Sequence, residues 1–421
     1  MTGPLAHLTV LDLTRVLAGP WSTQMLADLG ADVLKVERPV TGDDTRHWGP
    51  PWLKDASGRD SDDSAYFSSA NRNKRSLAID LSSAEGQQIV RELAARSDIL
   101  VENYKVGDLA RYRLSYDELS AINPRLIYCS ITGYGQDGPM CHLPGYDFVF
   151  QGEGGLMSIN GLPDDEPGGG PVKTSIAVTD VLTGLNATIG ILAAVEHRRL
   201  TGRGQRLDIA LLDTIIHFGA NQIASYFASG EIPRRWGNRH PNLTPYQTFE
   251  ASDGHFIVCC GNDQQFQRLC AVIGQPELGS APEYRRMVDR NQHRKPLEAR
   301  LQQAFARHPR AYWLQRLAEA DIPTGAVNDY RQVFEHPQVK HRRMRVEMTA
   351  DTGASVSVVR NPIRLSDTPI TYRMAPPRRG QHTREVLTKM LGRTDEQIDE
   401  LADKGVLESP PLATGNGSVA K

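Results

Sequence analysis

The stretch LTVLDLTRVLAGPWSTQMLADLGADVLKV, from Leu8 to Val36, decides the architecture. Leu8 to Leu13 reads as a buried strand, Thr14 to Pro20 as a loop, Trp21 to Leu29 as a helix and Asp32 to Val36 as a second strand. That is a βαβ unit. The pattern recurs downstream. Ser76 to Leu81 reads as a strand, the capping sequence Ser82-Ser83-Ala84-Glu85 opens a helix, and Ile99 to Val101 is the next strand. Tyr116 to Ile122 reads as a helix, and Leu126 to Thr132 and Arg206 to Ala210 as strands. Alternating strands and helices predict an α/β fold, a Rossmann-like open and largely parallel sheet, with ligands expected at the carboxyl ends of its strands.

Beyond that sheet the texture changes. Residues 1–225 are expected to form the first part of a large domain and residues 226–330 a smaller α+β domain. Residues 331–407 return to the large domain, and residues 408–421 form a disordered tail rich in Pro, Gly, Ser and Ala. With 421 residues the chain can bury cores that need no disulfide support. Its 48 Lys and Arg nearly balance its 50 Asp and Glu, so charge gives no reason to expect nucleic acid or an anionic membrane as main partner. Five cysteines without metal-type spacing argue against a zinc site and for a reducing compartment. The N-terminus has no signal-like apolar region, which leads to a cytoplasmic expectation. No stretch reads as long and apolar enough to cross a bilayer.

Asp180 is the residue whose chemistry matters most. It stands in Ser175-Ile-Ala-Val-Thr-Asp180, and an unusually apolar helix is expected to begin at Val181. Two readings stay open from the local sequence. Asp180 is either an ordinary N-cap, or a carboxylate kept ionised by the helix dipole and able to act as a nucleophile. Upstream strand ends offer Arg38, the basic run Asn71 to Arg75, and Asn103, Lys105 and Arg111. Each is either a solvated surface group or a grip for phosphate. Glu37 occupies the place of a ribose-binding acid, but the three-glycine fingerprint of a dinucleotide site is absent from Arg15 to Pro20. Glycine-rich segments at 133–139, 151–155 and 167–171 precede Asp180, as either a mobile cover or passive turns.

Together, Leu11 to Pro20, Leu29 to Arg38, Asn73 to Ser76, Val101 to Tyr104, Gly145 to Asp147, Asp180 with Gly184, and Thr201 to Gln205 resemble the class III CoA-transferase family, the family of formyl-CoA transferase and carnitine CoA-transferase. The resemblance implies two chains interlocked as a homodimer, coenzyme A and acyl-CoA as substrates, small carboxylic acids as partners, and no permanent cofactor or metal. It places Asp180 on the family's nucleophile. Val16, Ala18, Arg38, Asn103, Tyr104, Lys105 and Arg111 would line the CoA site, with Arg38 and Arg111 nearest the phosphates. Leu17, Tyr146 and Asp147 would border the acyl pocket, and N–H groups at Gly154 and Gly155 would stabilise oxyanions. Leu17 stands where formyl-CoA and oxalate enzymes resemble one another in having Gln. Asn242 to Phe249 and Gly261 to Phe266 look like the succinyl-CoA:glutarate branch. A dicarboxylate acceptor with succinyl-CoA as donor follows as the expectation. The alternatives are a 2-methylacyl-CoA racemase, disfavoured because Tyr146 stands where a basic His is needed, and a CoA-binding protein without catalysis.

Overall fold

The computed structural model describes residues 3–409, apart from the side chain at position 62. Six parallel strands form the main sheet: β1 (Thr9–Asp12), β2 (Asp32–Glu37), β3 (Lys74–Ile79), β4 (Ile99–Glu102), β5 (Ile127–Thr132) and β6 (Arg206–Ala210). A short seventh strand, β7 (Leu407–Glu408), pairs antiparallel with β3 at the edge. The order β7-β3-β2-β1-β4-β5-β6 is that of a doubly wound nucleotide-binding sheet with one added strand. Its topological switch point lies between β1 and β4, so a crevice opens beyond the carboxyl ends of those two strands.

The helices are α1 (Ala18–Asp28), α2 (Ala84–Ala94), α3 (Tyr116–Ile122), α4 (Asp147–Glu153) and α5 (Val178–Thr201). α1 starts inside the segment expected to be a loop. Pro20 is tolerated there because the N–H groups of a first helical turn have no intrahelical acceptor. Ser83 caps α2 through the Gly86 N–H at 3.0 Å, and Ser115 with Glu118 forms a capping box on α3. Strands β1, β2, β4 and β5 bury Val10, Leu11, Val33, Leu34, Leu100 and Ile127 completely, as a sheet covered on both faces requires.

α5 begins three residues earlier than its sequence pattern suggested and runs for 24 residues. By length and composition it could span a bilayer, which corrects the sequence reading, where the shorter helix was not counted. One of its faces, with Thr183, Gly184, Ala187, Ile191 and Ala194, is buried. Ser22 and Thr188 hydroxyls meet at 3.0 Å between α1 and α5, and a Cβ on Gly184 would lie 2.6 Å from the Ala18 carbonyl oxygen. Only glycine permits that approach. The opposite face leaves Ile189 and Leu200 exposed.

Two compact units divide the chain. The first comprises, over its described residues, Met1–Leu156, Thr174–Asn221 and Lys340–Lys421; the second comprises Met157–Lys173 and Gln222–Val339. The segment 157–173 was expected within the large domain. It joins the second unit because Arg235 donates to the Ser158 and Leu162 carbonyls and pairs with Asp164, while Arg239 pairs with Glu166. The second unit is α+β: strands Tyr246–Ala251, Gly254–Cys259 and Thr324–Ala326 form an antiparallel sheet whose helices close over Phe249, Phe256, Phe266, Phe305 and Trp313. Of the tail expected at 408–421, Glu408 lies in β7 and residues 410–421 lie outside the described residues.

Candidate functional site

A buried ionic frame fixes the loops at the switch point. Asp12 ends β1 and accepts from the Thr14 N–H at 2.9 Å, the Thr23 hydroxyl at 2.6 Å and Lys74 Nζ at 3.1 Å. Burial alone would raise its pKa, yet Lys74 and Lys35 outweigh burial and hold the carboxyl below its ordinary value. Lys35 Nζ donates to the Thr14 carbonyl at 2.9 Å and to Asp43 at 2.8 Å. Glu37 is gripped twice by Arg46, at 2.8 Å each, and accepts the Asp43 N–H at 2.9 Å. Burial opposes its ionisation, but Arg46 wins and brings the Glu37 pKa down to about 2. Glu37 is thus an internal partner and offers nothing to a ribose. The basic run Asn71–Arg75 is likewise consumed internally. Arg72 pairs with Asp28, Lys74 with Asp12 and Arg75 with Asp32.

On this frame sits the loop that follows β1. Asn103, just past β4, accepts the Arg15 N–H at 3.0 Å and donates to the Arg15 carbonyl at 2.8 Å. The Val16 N–H donates to Asp43 at 3.3 Å. Val16 itself has φ 71°, a conformation costly for a β-branched residue and retained only where its surroundings enforce it. Asn103 therefore laces the two crossover loops together.

An open cleft of about 280 Å³ lies beyond these loops and brings together Val16, Leu17, Ala18, Asn103, Lys105, Tyr146 and Asp180. Arg38 and Tyr104 line a separate small hollow, with Arg15 shared between the two. Arg38 is paired with Asp44 at 3.3 Å. Arg111 lines neither space and pairs with Asp108 on its own helical turn. Gly154 and Gly155 stand at the end of α4, where their N–H groups donate to the Phe150 and Gly152 carbonyls at 2.9 and 3.1 Å. In this conformation those N–H groups close a helix and are not turned to an oxyanion.

Asp180 is not the N-cap. It occupies the first turn of α5, whose cap position is Ala177, and the capping carboxylate comes from Asp147. Asp147 Oδ1 accepts the Thr179 N–H at 2.7 Å and the Asp180 N–H at 3.4 Å, while its Oδ2 accepts from Gln151 at 2.6 Å. Gln151, fully buried, also accepts the Thr174 N–H at 2.9 Å and so ties down the approach to the helix. The expectation that the dipole keeps Asp180 readily ionised is overturned. The helix's positive end is spent on Asp147, so Asp180 feels burial first and the Asp147 charge second, and its pKa is pushed up to about 7.

Sequence reasoning passed over two aromatic residues. Trp48 lines the cleft, and Tyr66 meets it edge-on with ring centroids 5.2 Å apart. Burial, followed by the Asp180 and Asp147 carboxylates, pushes the Tyr66 phenol up to about 12. Their only sequence signal is aromatic character in an otherwise polar, Pro-rich insertion between β2 and β3. Among the described residues, no group of three or more His, Cys, Asp or Glu side chains is placed to hold a metal ion.

The chain is 42% identical over 387 residues to the succinate–glutarate CoA-transferase of Agrobacterium fabrum, covering 92% of this chain and 96% of that protein. It is 40% identical over 405 residues to the succinyl-CoA:glutarate CoA-transferase of Homo sapiens, covering 96% and 90%. Among solved structures, a CAIB/BAIF family protein from Brucella suis superposes with a TM-score of 0.83 at 43% identity, covering 93% of this chain and 100% of that one. Residues 5–383 match the model of CoA-transferase family III, and the chain therefore belongs to that family and is a transferase.

Proposed function

We propose that the chain moves CoA from succinyl-CoA to a dicarboxylic acid through covalent attachment to Asp180. The observation that carries this reading is a carboxyl group in the switch-point cleft that has, among the described residues, no ion-pair partner and a pKa pushed up to about 7. The other carboxyl lining the cleft, Asp44, is neutralised by Arg15 and Arg38. The names of the two relatives described above, a succinate–glutarate and a succinyl-CoA:glutarate CoA-transferase, support the dicarboxylate pair.

In this scheme a carboxylate oxygen of Asp180 attacks the thioester carbonyl, the C–S bond breaks and CoA leaves as thiolate. The thiolate then attacks the aspartyl carbonyl of the resulting anhydride, freeing the first acid and leaving an aspartyl-CoA thioester. An acceptor carboxylate displaces CoA from that thioester, and CoA returns to the new acyl group, restoring Asp180. We further place the enzyme in the cytoplasm, supported by five free cysteines, and as an interlocked homodimer, supported by exposed Ile189 and Leu200 on α5 and exposed Phe227 and Ile232 in the second unit.

Trapping tests the scheme. With succinyl-CoA and hydroxylamine present, mass spectrometry is expected to find a hydroxamate on the Asp180 peptide; an unmodified peptide under turnover conditions would reject the covalent route.

The pH dependence gives a second test. A carboxyl whose pKa is raised to about 7 is a nucleophile only above that value, so kcat/KM is expected to climb as pH rises through about 7. Asp147→Asn removes the neighbouring charge while keeping an oxygen for the Thr179 N–H. The climb should then move down by roughly one pH unit. A profile that stays in place would show that Asp147 does not tune the nucleophile.

A further inference from the structure

Resting on that reading, we infer that Glu102 is a positioning residue for coenzyme A: its ionised carboxylate clamps the turn that presents Asn103, Tyr104 and Lys105, and protonation loosens the clamp. Glu102 is the last residue of β4, and its side chain is buried. Its Oε2 accepts the Tyr104 N–H at 2.8 Å, which ties the chain down two residues beyond the strand end. From that turn the Asn103 side chain reaches Arg15, accepting its N–H at 3.0 Å and donating to its carbonyl at 2.8 Å. Asn103 and Lys105 line the Asp180 cleft, whereas Tyr104 lines the neighbouring hollow and packs on the core beneath. One buried carboxylate thus stands at the root of the loop that the family resemblance gives to CoA.

The sheet surrounds that carboxyl with a row of polar groups. Glu102 lies opposite Ser130 on β5, and Ser130 opposite Asp208 on β6, so Asp208 stands two strands away, about 10 Å by strand spacing. Asp208 does for the next loop what Glu102 does for its own. It accepts the Gln136 N–H at 2.9 Å, and Arg206 donates to the Gln136 side chain. Burial pushes the Glu102 carboxyl up to about 7 against the pull of Ser130, the Tyr104 N–H and Arg206, and Asp208 adds to the rise. Ser130 Oγ favours the charge from nearby while stopping short of a hydrogen bond. The other titratable groups facing Glu102 are the Tyr104 and Tyr128 phenols and the Cys129 thiol, all raised above their ordinary values chiefly by burial and so neutral near pH 7. A glutamine would accept the same N–H without a charge that folding must bury. What the carboxylate adds is strength, because an ionised acceptor holds an N–H about twice as firmly as a neutral one. The grip on Tyr104 therefore tightens as Glu102 loses its proton between pH 6 and pH 8.

Calorimetric binding of free CoA at pH 6 and pH 8 tests this in Asp180→Asn, which removes the titration of Asp180 itself. Its double variant with Glu102→Gln is expected to bind CoA roughly three- to tenfold more weakly at pH 8 and about equally at pH 6, the difference a charge-assisted bond makes over a neutral one. Comparing the two proteins cancels the titration of His142 in the cleft and of the CoA phosphates, which both share. Glu102→Gln should also melt higher than its parent at pH 8 but not near pH 4, because a raised carboxyl loses stability as pH rises through about 7. Arg206→Gln, on the exposed edge strand, removes a cation that favours the charged form and should move the midpoint of tightening to higher pH. Equal affinities at pH 8, a loss of affinity that is the same at both pH values, tighter binding by the glutamine variant, or an unmoved midpoint in Arg206→Gln would each overturn the role of Glu102. Hydroxylamine trapping in the unaltered enzyme keeps the two claims apart. An unlabelled Asp180 beside the expected CoA binding sinks the covalent scheme alone, whereas a labelled Asp180 beside affinities indifferent to Glu102 sinks this inference alone.

Discussion

Asp180→Asn is expected to lower the rate of CoA transfer by about 10⁴-fold or more, the scale on which loss of a covalent nucleophile falls in other enzymes. The same substitution should stabilise the protein at alkaline pH. A carboxyl whose pKa is about 7 when folded and about 3.9 when unfolded binds its proton more tightly in the folded state. Below the unfolded value both states are protonated and nothing is lost. As pH rises from there through about 7, the folded state loses stability steadily, because it must bury a charge beside Asp147. Asn carries no such charge. The gain at pH 8 should be on the order of 2–4 kcal/mol, fading towards pH 4. Thermal melts of both proteins at the two pH values measure it, with turnover measured in parallel. An inactive variant with no alkaline gain would show that Asp180 is not strained by burial, and an active one would remove it from the chemistry.

The second large effect is structural. Arg46→Met should destabilise the first unit by about 3–5 kcal/mol, the range for deleting one member of a buried ion pair. Arg46 is almost completely buried, grips Glu37 with two bonds, donates to the Pro377 carbonyl at 3.0 Å and stacks 3.7 Å from the centre of the Phe67 ring. Without it Glu37 loses the partner that depresses its pKa. That contribution to stability exists above the ordinary glutamate range and disappears as pH falls towards about 2. The melting temperature of Arg46→Met should therefore fall by roughly 10 °C at neutral pH and by much less in acid. A uniform loss at all pH values would assign the effect to lost packing over Phe67 alone.

Much of the scaffold was legible because its signals are local. The βαβ pattern of Leu8 to Val36 and the caps at Ser83 and Ser115 depend on neighbours a few residues apart. The position of Asp180, an acid at the start of an apolar helix, was legible for the same reason. What escaped depends on pairs far apart in the chain. Asp147 caps the helix from 33 residues upstream of Asp180, so no local pattern distinguishes capped from capping acid. The run Asn71–Arg75 has the composition of an anion site, yet its partners Asp12, Asp28 and Asp32 sit on β1, α1 and β2 and become visible only once β3 lies beside β2. Gly154 and Gly155 look permissive in sequence, whereas their N–H groups are committed to the end of α4.

Burial of Asp180, with the charge of the cap lent by Asp147 as the second cause, bears on the energetics of the proposed exchange between sulfur and oxygen. An acyl group migrates evenly between two leaving groups only when their basicities are comparable, and an ordinary aspartate is far less basic than a thiol of pKa about 8.5. Lifting Asp180 to about 7 closes most of that gap. In the proposed covalent scheme the oxygen-bound and sulfur-bound forms are thereby brought closer in level than an ordinary aspartate would place them.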